Sequence, residues 1–193
     1  MKKALLCIDY INDIVAEKGK LSGKGYLEFC QNNRTLENLS ELQNYCRRQE
    51  IPVLHVRVGF SPSYSEQPKH SPLFGKADQF QALQLGGWGT EFHPQVAPIA
   101  GENIITKHRV SAFFATDLEL LLRTLKIDAV IIAGVATDLA VEAAARDAHD
   151  RDFAVTVVAD CCAAADNADH AKSLKTLAKI ANIATLAELR WAN

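Results

Sequence analysis

The sequence predicts an α/β domain of three layers, α/β/α, in which helices cover both faces of a doubly wound, mainly parallel sheet. Short runs rich in Val and Ile recur along the chain, and most of them are separated by longer stretches whose apolar residues return with helical period. The runs are apolar along their whole length, which suits strands covered on both faces. The chain has 193 residues, of which 48% are hydrophobic and 23% charged, enough for one core and hence a single domain over 1–193.

The first strand is read at 4–8 (ALLCI). Two lysines before an apolar run resemble a secretory leader, but Asp9 interrupts the run and no small-residue cleavage site follows. Residues 32–50 carry Leu36, Leu39, Leu42, Tyr45 and Cys46 at helical spacing. Further strands follow at 52–58 (PVLHVRV) and 102–107 (ENIITK). A helix over 117–125 then places Leu118, Leu121, Leu122 and Leu125 on one side, with Thr116 or Asp117 as its cap. The strand at 129–135 (AVIIAGV) leads into a helix of small residues at 140–150. A strand at 154–160, a helix at 170–181 and a weak strand at 182–186 complete the pattern. Residues 59–100 break every period with prolines and glycines, and so long a connection is usually functional. Phe60, Tyr64, Phe74, Trp88 and Phe92, with Phe113 beyond, would give a small-molecule pocket its apolar wall, or pack the loop onto the core.

The formal net charge of -2 and scattered lysines and arginines argue against nucleic acid and membrane surfaces as partners. No stretch approaches the roughly 18 apolar residues of a membrane span. Five cysteines, Cys7, Cys30, Cys46, Cys161 and Cys162, lack disulfide-framework or metal spacing, so a cytoplasmic protein with reduced thiols is expected.

Open parallel sheets bind ligands beyond the C-terminal ends of their strands, so polar residues closing apolar runs are candidates for chemistry. Asp9 is such a residue: burial would raise its pKa and fit it for general acid or base work, although it could instead form a turn, as could Asn12 or Asp13. Lys107 closes the third strand and would sit beside Asp9, or belong with His108 and Arg109 to a solvated loop. In GVATDLAV (134–141), a glycine precedes a helix start whose free amides would favour an oxyanion, or simply be capped by Thr137 or Asp138. Arg57 ends a strand and could clamp a carboxylate or form a surface ion pair. His55, His70 and His93 lack ligand spacing and read as structural, so no metal and no other cofactor is expected. Cys161 and Cys162 follow a strand end but have no evident base, and small buried thiols are the commoner outcome.

Strand-ending Asp9 with Asn12 and Asp13, KHRVSAF with Lys107, and GVATDLAV followed by RDAHDRDFAVTVVADCCAAA and His170 together resemble the isochorismatase-like cysteine hydrolase superfamily, from Ala4 to about Leu189. The resemblance implies a triad of Asp, Lys and Cys in which a thiolate attacks an amide carbonyl. Asp9 and Lys107 match its first two members, and the cysteine position falls on Ala140. It also implies a cis peptide between Val135 and Ala136, with the amides of Ala136 and Ala140 turned to a substrate oxygen, and a homodimer or homotetramer acting on a small molecule. A methyl group cannot form a thioester. Four explanations stay open: cleavage by protonation from the aspartic acid, as in isochorismatases that lack the cysteine, other acid–base hydrolysis, binding without catalysis, or an engineered replacement of the cysteine by Ala140.

Overall fold

The computed structural model describes residues 1–191. Six strands, β1 (Lys3–Ile8), β2 (Val53–Val58), β3 (Asn103–Lys107), β4 (Ala129–Gly134), β5 (Ala154–Val158) and β6 (Asn182–Ala184), form one parallel sheet in the order β3-β2-β1-β4-β5-β6. The winding reverses between β1 and β4, so their C-terminal ends border the crevice where parallel sheets bind ligands. Register brings those ends level, with Ile8 opposite both Val56 and Gly134, and Val58 opposite Lys107.

The helices α1 (Asn12–Val15), α2 (Tyr26–Asn33) and α3 (Thr35–Arg48) precede β2, and α4 (Leu118–Thr124), α5 (Glu142–His149), α6 (Asn167–Leu177) and α7 (Leu186–Trp191) follow in turn. One core cluster joins Leu36, Leu39 and Leu42 of α3 to Leu5, Cys7 and Ile131. The other joins Leu118 and Leu122 of α4 and Ala144, Ala145 and Ala148 of α5 to Leu6, Ile8 and Ile132. Successive residues of a strand therefore feed opposite cores. At Gly134 the strands crowd together, since a Cβ there would lie 2.8 Å from Val141 Cγ2 and 3.0 Å from Ile8 Cβ.

Several boundaries differ from those read in the sequence. The helix expected over 32–50 starts at Thr35, because Arg34 adopts φ 54° and separates α2 from α3. The helix expected from His170 begins at Asn167, where the Asp166 carboxylate accepts from the amides of Ala168 and Asp169. The last strand stops at Ala184. Thr185 and Glu188 form a capping box there, Thr185 Oγ1 accepting from Glu188 N and Glu188 Oε2 from Thr185 N at 2.6 Å, and α7 begins where a strand was expected. Of the two caps proposed for α4, Thr116 accepts the Leu118 amide and Asp117 makes no cap bond. Among the described residues no helix is long and apolar enough to cross a membrane.

Candidate active site

Asp9 follows β1 in the left-handed region, φ 63°, which aspartate tolerates better than most residues. Its amide donates to Val56 O at 2.8 Å, its Oδ1 accepts from Val58 N at 2.7 Å, and its Oδ2 lies 2.7 Å from Lys107 Nζ. Lys107 stands two strands away, on the order of 10 Å between backbones. Its extended side chain spans the end of β2 and is 1% exposed, so it is not on a solvated loop. Its ammonium also donates to Val110 O at 2.9 Å and Arg109 O at 3.3 Å. Burial raises the Asp9 pKa, and the attraction of Lys107 offsets only part of that rise.

This pair forms part of the floor of a cavity of about 350 Å³. Val135, Ala136 and Ala140 line the same cavity, the Val135–Ala136 peptide is cis, and the Ala136 amide donates to no group among the described residues. The cavity wall is drawn from the irregular segment at Pro72, Leu73, Phe74, Phe80, Ala82 and Leu83, with Leu21, Tyr26 and Leu139 facing it. Lys20, Lys24 and Lys76 also line it, and all three are exposed. These lysines are 56 positions apart in sequence from first to last and carry no shared period, so nothing in the sequence distinguishes them from scattered surface charge.

Three residues expected at the site lie elsewhere. Arg57 turns with His55 toward the segment at Thr90, its Nε donating to Thr106 Oγ1 at 3.3 Å and its NH1 to Thr90 O at 3.4 Å. Trp88 opens a 3₁₀ turn, 48% exposed, beside a separate groove with Val15 and Leu36, and its carbonyl accepts from Asn12 Nδ2. Phe113 packs in the other core against Phe153, with Arg151 over its ring. Of the aromatic residues expected to wall the pocket, Phe74 reaches the cavity, while Phe60 and Tyr64 pack behind it; Phe80, which was not among them, lines it as well.

The turn after β4 is a π-helical turn, Thr137–Val141, running into α5. Neither Thr137 nor Asp138 caps it. Thr137 Oγ1 instead pairs with His170 Nδ1 at 2.8 Å, and Asp138 Oδ1 is buried with no partner among the described residues. Asp13 is structural: its carboxylate accepts from Leu83 N at 2.7 Å and Lys20 N at 3.2 Å, and a Cβ on Gly89 would lie 2.4 Å from its Oδ2.

All five cysteines are free and buried, and none lines the cavity. Burial pushes the Cys161 thiol well up and that of Cys162 to about 12, so neither is a thiolate at neutral pH. His55 Nε2 pairs with Glu102 at 2.9 Å, while its Nδ1 has no partner among the described residues, so that histidine is half satisfied. No group of three or more His, Cys, Asp or Glu among the described residues is arranged to hold a metal ion.

An isochorismatase domain model matches residues 3–188. An isochorismatase family protein of Escherichia coli O157:H7 is 36% identical over 118 residues, 59% of this chain and 58% of that protein, so the chain spans less than two thirds of that relative. A maleamate amidohydrolase of Pseudomonas putida is 30% identical over 164 residues, covering 83% of this chain and 71% of the relative. The crystal structure of an isochorismatase-like hydrolase from Alkaliphilus metalliredigens superposes with a TM-score of 0.80 at 27% identity, over 98% of this chain and 97% of the other.

Proposed function

Since this chain belongs to the isochorismatase family, whose similar members include hydrolases, we propose that it hydrolyses a small molecule by the acid–base chemistry of Asp9 and Lys107, without a covalent cysteine intermediate. One observation carries this reading: Asp9 and Lys107 pair at the floor of a cavity that Ala140 also lines and that no cysteine, serine, threonine or histidine among the described residues enters. Ala140 occupies the position that the family resemblance gives to the nucleophile. Without a thiol, proton transfer and electrostatics remain.

The Asp9 carboxyl, its pKa raised by burial, donates its proton to the substrate atom at the bond that breaks. Water then adds its hydroxyl to the other fragment and returns its second proton to Asp9, so the carboxyl is regenerated. Lys107 holds the intervening carboxylate in place and limits how far its pKa climbs. The Ala136 amide, with that of Ala140, receives a substrate oxygen.

The test is Asp9→Asn, assayed on a panel of small vinyl ethers, amides and esters of which the wild type hydrolyses at least one. Turnover is expected to fall by about 100-fold or more, with the circular dichroism spectrum unchanged. Retained turnover in a folded variant would refute the mechanism. A second reading, binding without catalysis, is favoured by the Ala140 methyl itself, and it gains support if the wild type binds ligands but turns over none of the panel.

A further inference from the structure

We propose that the occupant of this cavity is a small organic anion, oriented by Lys20, Lys24 and Lys76 at the mouth with its reacting end toward Asp9. The inference deepens the functional reading above and rests on it for the direction of the ligand, though not for the charge. Among the described residues, four lysines and a single carboxylate line the cavity. Lys107 is set against Asp9 at the floor, so whatever the protonation of that carboxyl the three ammonium groups at the mouth remain unbalanced. None of the three has an ion-pair partner among the described residues, and Lys20 Nζ is held by a carbonyl, Gln81 O, at 2.5 Å. This excess sits on a chain whose formal net charge is -2, so it is a local feature and not the average of the surface.

The three come from separate stretches, the loop after α1, the 3₁₀ turn Ser22–Lys24 and the irregular segment before β3, yet they face one opening. Like charges gathered in this way repel, and an anion relieves that repulsion. Between mouth and floor the wall is apolar, with Leu73, Phe74, Phe80 and Leu139, which favours a hydrocarbon body behind the charged group. Lysine suits a role as mobile point charge, reaching a carboxylate through several geometries.

Isothermal titration of the wild type with benzoate, phthalate, fumarate and succinate, each against its neutral amide, tests this directly. At least one carboxylate should bind, more tightly than its amide, and its affinity should fall as salt is raised. The variant carrying Lys20→Gln, Lys24→Gln and Lys76→Gln should lose about tenfold or more in that affinity. A control with Lys172→Gln, Lys175→Gln and Lys179→Gln, which changes net charge equally on α6 and the turn after it, should lose little. Equal affinity for acid and amide, equal loss in the two variants, or no binding of any carboxylate would overturn the proposal. A melting temperature matching the wild type guards against misfolding in either variant. Because binding is read without turnover, inactivity of the wild type or of Asp9→Asn counts against the acid–base mechanism alone.

Discussion

At the scale of single residues, the pair of Asp9 and Lys107 carries the sharpest expectations. Removing the cation with Lys107→Met leaves Asp9 buried without its charge partner, a change that typically costs about 3–5 kcal/mol. The Asp9 pKa already stands above 3.8, so the folded state holds that proton to higher pH than the unfolded chain does. Its contribution to stability is full below 3.8 and is lost as pH rises through the folded-state value. In Lys107→Met the folded-state value climbs further. The stability deficit against wild type is therefore expected to shrink toward acid pH, as urea unfolding from pH 4 upward would show; a deficit independent of pH would mean that packing of the lysine stem dominates. Ala140→Cys is the complementary change. It puts a thiol in the cavity with Asp9, and amidase activity with a trappable thioester is expected by mass spectrometry. Inertness would show that more than the thiol is missing.

At the scale of elements, what could be read from the sequence depended on whether the signal was local. Asp9 and Lys107 were legible because each ends an apolar run, and strand ends are where parallel sheets place ligands. Arg57 also ends a run, but the alternation of side chains along β2 turns it toward Thr90, and no composition rule says which face a neighbouring loop will cover. Trp88 and Phe113 were aromatic in or near the irregular segment, yet their places depend on how that segment folds back. The boundary of β6 was legible after all, since Thr185 to Glu188 carries the capping-box spacing that competes with a strand. The close approach of β1 and β4 gives a test at this scale. Gly134→Ala should cost about 1–3 kcal/mol, measured as a lowered denaturation midpoint. Val141→Ala in the same chain should restore part of the loss, since it removes the nearer of the two clashing carbons.

At the scale of the whole molecule, the cavity joins two kinds of structure: a floor fixed by strand ends and the turn after β4, and a wall hung from the connection between β2 and β3. The floor belongs to a ladder that is buried on both faces, while Leu73 and Phe80 of the wall are 38% and 63% exposed. Hydrogen exchange should reflect this, with amides of 72–83 slowing when an anion binds and those of α4 and α5 unchanged. If the amides of α4 slowed equally, the effect would be global stabilisation instead of closure on a ligand. The division also has an evolutionary reading. On the proposed mechanism, reactivity and selectivity would be encoded on different stretches of the gene, so the wall between β2 and β3 could drift, lengthen or be exchanged between relatives while proton-handling groups stay with the sheet. A chimaera carrying a relative's wall on this floor would then inherit its substrate range from one parent and its chemistry from the other.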